Sequence, residues 1–190
     1  MNLSEARPLA ECLVAKLRPY CDRIEIAGSI RRGRPDVGDV ELVCIPKRHT
    51  AGLFGDDYEV NPGFVAEVNK MPGGKGSPEG KYTRRSMKWG ASEIGIDIFM
   101  TVAPIWGSIF AIRTGSADFS HYVLAKRWTK LKWRSVDGVL IHDDDGERKT
   151  FAEEDELFDF LGIEWVAPEW RDVAGEKAKK EYYESHNQQI

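Results

Sequence analysis

Within residues 4–20, Leu9, Cys12, Leu13 and Leu17, with Ala15 beside them, recur at helical spacing, and Pro8 falls early, where a helix tolerates it. The spacing predicts one helix of about four turns. Shorter runs of strand character follow: residues 23–27, closed by Gly28 and Ser29, and residues 39–45, ended by Pro46, with an Arg/Gly/Pro-rich connection between them. Over residues 94–102, Ile94, Ile96, Ile98 and Met100 share one face while Asp97 and Phe99 take the other, which predicts a half-buried strand carrying a carboxylate. Residues 49–90 include Pro72-Gly73-Gly74 and Gly76-Ser77-Pro78 and read as loops and short elements. After Pro104 the pattern predicts a helix over 116–128, a short strand over 136–141, and a helix over 153–161 stopped by Gly162. The change of pattern places a division near residue 105, and the polar stretch 175–190 reads as a frayed helix or tail.

Composition narrows the class. A chain of 190 residues with 42% hydrophobic and 31% charged content can bury roughly 70% of the surface that its unfolded form exposes, which excludes a disordered or fibrous protein. Lysine and arginine total 27 against 31 acids, a net charge of -4, so any site for a polyanion must be local. Cys12, Cys21 and Cys44 are odd in number and unpatterned, which suits a reduced cytosolic protein and implies no sulfur-bound metal. No segment approaches the roughly 20 apolar residues that span a bilayer, and no secretory leader is evident. The expectation is a soluble, cytoplasmic or nucleoid-associated protein.

Three acids carry the candidate chemistry. In Asp39-Val40-Glu41-Leu42 the two carboxylates project from one strand face while Val40 and Leu42 enter the core, and Asp97 repeats the arrangement on another strand. Like charges on one face need water or a cation, and carboxylate oxygens suit Mg²⁺ or Mn²⁺. Three carboxylates on two strands could hold two such ions at about 3.5 to 4 Å, a geometry that activates an attacking oxygen and stabilises a leaving one. The alternative is a solvated edge strand with ordinary acids. Just upstream, Gly28-Ser29 supplies a turn whose N–H groups can form an anion nest, and Arg31, Arg32 and Arg34 supply forks that match phosphate. Pairing of these arginines with Asp36 and Glu25 is the competing reading.

Gly28-Ser29-Ile30-Arg31-Arg32-Gly33 followed by Gly38-Asp39-Val40-Glu41 resembles the motif of the nucleotidyltransferase superfamily, and specifically the palm of the family X (polymerase β-like) DNA polymerases. Ile96-Asp97-Ile98-Phe99 resembles that family's third-aspartate strand, and Thr114-Gly115-Ser116 its nucleotide-site turn. Residues 153–158, Leu161-Gly162-Ile163 and Pro168-Glu169-Trp170-Arg171 resemble its carboxyl-terminal signature. The resemblance spans about residues 3 to 172. It implies an α+β fold: a palm of mixed sheet with helices on one side over 1–105, and a small α/β subdomain contacting nucleotide and base pair over 106–174. With Met1 close to the palm motif, the chain is similar to minimal members that lack the amino-terminal lyase and helix-hairpin-helix portions.

Carried over by this resemblance, Asp39, Glu41 and Asp97 are catalytic metal ligands for two Mg²⁺ ions, with Mn²⁺ as a substitute. Gly28, Ser29, Arg32 and Gly38 hold the triphosphate, and Thr114, Gly115 and Ser116 line the sugar. The helix from Ser116 meets the base pair through Ala117, Ser120 and Leu124. Glu41 stands where family X polymerases usually carry aspartate, and Gly95 where an arginine usually supports the primer end. Two basic windows extend the expected DNA path, with Lys81, Arg84 and Arg85 in residues 75–88 and Lys126 and Arg127 in residues 126–134. Trp128 and Trp133 read as core rather than as base-stacking rings.

The function implied is metal-dependent addition of deoxynucleotides to a DNA 3′ end with release of pyrophosphate, as a templated gap-filling polymerase in repair. Its partners are a DNA primer end bearing a 3′-hydroxyl and deoxynucleoside triphosphates, and the chain is expected to act as a monomer, away from membranes. An unidentified protein could recruit it. A template-independent or RNA-directed terminal transferase is the alternative, with a non-catalytic DNA-end-binding module behind it.

Overall fold

The computed structural model describes residues 1–51, 57–90 and 92–187. The chain forms two compact units, one of Met1–Ile30 with Arg34–Thr101 and one of Arg31–Gly33 with Val102–Ile190.

In the first unit, helix α1 (Leu3–Leu17) passes through a 3-10 turn into strand β1 (Cys21–Ile26), the short helix α2 (Gly28–Arg31) and strand β2 (Asp39–Pro46). A ribbon of β3 (Arg48–Ala51) and β4 (Asp57–Val60), helix α3 (Pro62–Asn69), and strands β5 (Lys75–Gly76), β6 (Tyr82–Trp89) and β7 (Ser92–Met100) follow. The Asn2 side chain starts α1 by accepting the Glu5 N–H at 3.0 Å. Five strands pair in the order β1-β2-β7-β6-β5, with β2 and β7 parallel and the other neighbours antiparallel. The α+β class with a mixed sheet is therefore what the chain adopts.

One sheet face supplies the core. Val40, Leu42 and Cys44 of β2 and Ile94, Ile96, Ile98 and Met100 of β7 pack with Leu9, Leu13 and Leu17 of α1 and Phe64 and Val68 of α3. Each fully buried aliphatic of this kind stabilises the fold by about 1.5–3 kcal/mol. Strand parity then sends Asp39, Glu41 and Asp97 to the opposite face. Cys12 departs from the expected apolar stripe, since it is exposed, whereas Cys21 and Cys44 are buried and free.

In the second unit, α4 (Trp106–Thr114) precedes a π-helical stretch at Phe119–Ala125, helix α5 (Lys126–Lys130), strands β8 (Trp133–Val136), β9 (Val139–His142) and β10 (Arg148–Lys149), and helices α6 (Glu154–Leu161) and α7 (Arg171–Asn187). Its core gathers Ala111, Phe119, Leu124, Trp128, Trp133, Leu140, Leu157 and Phe158. Trp128 and Trp133 belong to the core, 9% and 7% exposed. Gly162 ends α6 in the left-handed region at φ 63°, as its sequence position predicts.

Several expectations need correction. Residues 49–90 contain β6, eight residues long and paired with β7 along its length, where the sequence reads as loops and short elements. The single strand expected over 136–141 is a hairpin, reversing at Asp137 (φ 53°) and Gly138 (φ 86°), the paired positive φ values that an Asp-Gly turn provides. Helix α4 lies outside the predicted helix, and of the two readings of the stretch from Gly175, helix or tail, α7 takes the helix through to Asn187. Among the described residues no helix is long and apolar enough to cross a membrane.

Candidate functional site

The parallel register of β2 and β7 sets Asp39 opposite Gly95 and Glu41 opposite Asp97. Asp97 is only 5% exposed, and its two oxygens are both engaged. The Tyr82 hydroxyl donates to Oδ1 at 2.6 Å, and Arg84 Nη1 donates to Oδ2 at 2.7 Å. Tyr82 is itself steadied by stacking on Phe99, with centroids 5.1 Å apart. The same Arg84 Nη1 lies 3.6 Å from Asp39 Oδ2. Burial raises the Asp39 pKa, the Asp97 charge raises it further, and Arg84 offsets part of the shift. Two carboxylates thus share one guanidinium.

Glu41 takes a different direction. It is half-buried, and its carboxylate lies so close to Gly28 that a Cβ there would overlap it. Among the described residues no group of three or more His, Cys, Asp or Glu side chains is arranged to hold a metal ion. The three expected ligands therefore form an Asp39–Asp97 pair with Glu41 on the same sheet face, turned toward Gly28. Gly28 also needs its left-handed φ of 58°. Gly28→Ala combines that strain with displacement of Glu41 and is expected to cost about 1–3 kcal/mol, read as a lower urea midpoint by circular dichroism. An unchanged midpoint would disprove the close packing of Glu41 on residue 28.

Next to Gly28, the Ser29 hydroxyl is buried and has no hydrogen-bond partner. A hydroxyl left in this state costs about 1–3 kcal/mol. Gly38 is exposed immediately before Asp39.

Arg31 and Arg32, read from sequence as phosphate ligands, are built into the second unit. Arg31 makes a fork to Glu154, Nη1 to Oε1 at 2.9 Å and Nη2 to Oε2 at 2.7 Å, and Nη1 also donates to Thr114 Oγ1 at 2.6 Å. Its guanidinium rests on Phe110, 3.8 Å from the ring centroid. Arg32 donates to Asp172 Oδ2 at 3.1 Å and to the Thr114 carbonyl at 2.9 Å. Fully buried Arg171 meets Glu154 Oε1 from the other side at 2.9 Å. Burial pulls the Glu154 pKa upward, but Arg31 and Arg171 outweigh it and hold the carboxyl below its ordinary value.

The other expected contacts are placed as follows. Thr114 is fully buried between Arg31 and Arg32, and Gly115 caps α4. Ser116 Oγ accepts the Phe119 N–H at 3.2 Å. Leu124 is fully buried, so its side chain is core and not a base-pair contact, and Ser120 donates to the Ile112 carbonyl at 2.9 Å. Lys81 is exposed, and Arg85 donates to the Gly73 carbonyl at 2.7 Å and to Asn69 Oδ1 at 2.8 Å. Arg127 donates to the Leu161 carbonyl at 2.7 Å, and Lys126 reaches the Tyr182 hydroxyl at 3.2 Å and sits 4.3 Å from that ring's centroid. Tyr82 escapes sequence reasoning, whereas Glu154 and Arg171 stand in the carboxyl-terminal signature without their partners being legible there; the Tyr82/Arg84 alternation on β6 is the signal that points to Tyr82.

No curated protein matches the chain at a significant level. Residues 110–172, which run from the end of α4 through α6 to the start of α7, match the family model of the DNA polymerase beta thumb. The match supports a family X polymerase-like fragment and points to DNA binding and a polymerase-like function.

Proposed function

We propose that this chain is a metal-dependent DNA nucleotidyltransferase that extends a DNA 3′ end, acting as a templated gap-filling polymerase. The observation that carries the reading is the Asp39–Asp97 carboxylate pair on adjacent parallel strands, on the sheet face where Glu41 also lies. The thumb-like segment adds the DNA-binding half of the case.

The donor set fits a hard divalent cation. Two facing carboxylates carry more negative charge than one arginine neutralises, and their oxygens are the ligands that Mg²⁺ and Mn²⁺ prefer. Asp39 and Asp97 would hold the ions, with Glu41 as a further carboxylate on that face. When bound, they supply Lewis-acid stabilisation of phosphate charge and a lowered pKa for the 3′-hydroxyl. The chain's own residues do the positioning. Tyr82 fixes the plane of the Asp97 carboxylate from behind. The Ser29 hydroxyl, buried and unsatisfied, is suited to donate to a phosphate oxygen of the incoming nucleotide. In the reaction the 3′-hydroxyl gives up its proton to solvent, its oxygen bonds to the α phosphorus, the bond from that phosphorus to the bridging oxygen breaks, and pyrophosphate leaves with its charge.

The test is extension of an end-labelled primer, either opposite a one-nucleotide gap or single-stranded, with each nucleotide supplied singly and with Mg²⁺ or Mn²⁺. The reading requires incorporation of the complementary deoxynucleotide on the gapped substrate. Extension regardless of template makes the protein a terminal transferase, and DNA binding without incorporation under either metal makes it an end-binding module.

A further inference from the structure

Arg84 stands on β6 directly across from Asp97 of β7. A single terminal nitrogen, Nη1, lies 2.7 Å from Asp97 and 3.6 Å from Asp39, so one side chain is the counter-charge for both acids. We propose that Arg84 is the resident counter-ion of this pair and that a divalent cation binds by displacing its guanidinium, so that Arg84 sets the cation affinity of the site. The proposal rests on the function argued above and adds a residue to it that lies outside the carboxylate set.

Three features support displacement rather than permanent pairing. First, the carboxylate lone pair that accepts an arginine N–H at hydrogen-bond distance is not available to a metal, so the two cations compete for the same oxygen. A dication offers the facing carboxylates twice the charge of the guanidinium.

Second, the arginine is loosely seated. Its side chain is 46% exposed, against 8% for Asp97, so the guanidinium can move into water while an incoming cation takes its place as counter-charge to the buried carboxylate. Asp97 keeps its orientation when Arg84 departs, because Tyr82 holds the other oxygen.

Third, the seat exists only because residue 95 is glycine. A Cβ at Gly95 would lie 2.5 Å from Arg84 Nη2 and 3.1 Å from Cζ. The guanidinium occupies the strip of sheet surface that this missing side chain leaves open, next to Asp39, the cross-strand neighbour of Gly95. Any larger residue at 95 would push the arginine outward.

The test is Mn²⁺ binding by the full chain, read from the electron paramagnetic resonance signal of free Mn²⁺, for the wild type, Arg84→Gln, Gly95→Ala and Asp97→Asn. Arg84→Gln keeps a polar side chain of comparable reach and removes the charge. It is expected to tighten Mn²⁺ binding by about tenfold, with Gly95→Ala shifting affinity in the same direction and Asp97→Asn abolishing the site. Circular dichroism checks that each variant folds, and Gly95→Ala carries the test if Arg84→Gln does not. Unchanged or weaker affinity in the variants, with binding still dependent on Asp97, overturns the counter-ion role and leaves the proposed function standing. Absence of any Asp97-dependent Mn²⁺ binding overturns both.

Discussion

Asp97→Asn is expected to lower nucleotide incorporation by about three orders of magnitude, the scale on which loss of one preorganised electrostatic contact to a transition state is felt. The substitution is close to isosteric. The amide oxygen that it introduces can still accept the Tyr82 hydroxyl, and Arg84 retains Asp39 as a partner. Removing one of two facing carboxylates also relieves the repulsion that raises the Asp39 pKa. Thermal stability should therefore change little while the chemistry fails, which separates this outcome from simple misfolding. A single-turnover extension assay under saturating nucleotide measures it. Incorporation within tenfold of wild type would remove the carboxylate pair from the reaction.

The second large effect concerns the fold. Glu154→Gln should destabilise the second unit by about 3–5 kcal/mol, because it leaves Arg171, fully buried, and Arg31 without the charge that both share. That loss is a large share of the 5–15 kcal/mol that holds a typical domain together. Of the six tryptophans, Trp106, Trp128, Trp133, Trp165 and Trp170 belong to this unit, so urea unfolding followed by tryptophan fluorescence reports on it directly. An unchanged midpoint would mean that the buried network adds nothing.

The same carboxylate gives this unit an acid sensitivity of known sign. Because the folded pKa of Glu154 is depressed, its contribution is fully present above the ordinary glutamate range and is lost as pH falls through the lower folded value. The wild-type melting temperature should drop over that interval more steeply than that of Glu154→Gln. Parallel acid profiles for the two proteins would show that another group controls the transition.

Short-range pattern made much of the first unit legible. The helix at residues 4–20, the strands on either side of Gly28 and the Asp97 strand all follow from spacings of two, three and four residues, which backbone geometry imposes locally. Parity along β2 and β7 likewise placed Asp39, Glu41 and Asp97 opposite the core. Strand β6 was hidden by its composition: Thr83-Arg84-Arg85-Ser86 is polar on both faces, and the strand is held by its long pairing with β7 instead of by an apolar face of its own. Helix α4 was hidden for the opposite reason, since burial of Trp106, Gly107, Ser108, Phe110 and Ala111 leaves no polar stripe to mark its period.

The arginines divide what is local from what is not. Their clustering after Gly28 marks a charged segment, but charge alone does not name its partner. Asp36 and Glu25 are near in sequence, yet Arg31 pairs with Glu154, 123 residues on, and Arg32 with Asp172, 140 residues on. The carboxylate site divides in the same way. The residue pattern by itself determined that three acids share a sheet face, since that depends only on the two-residue repeat of a strand. Only the tertiary structure decided that Asp39 and Asp97 face each other, that Glu41 folds onto Gly28, and that Arg84 reaches across from a neighbouring strand. Those contacts depend on strand order, register and the space left by single glycines, which are set by the packing of the whole unit.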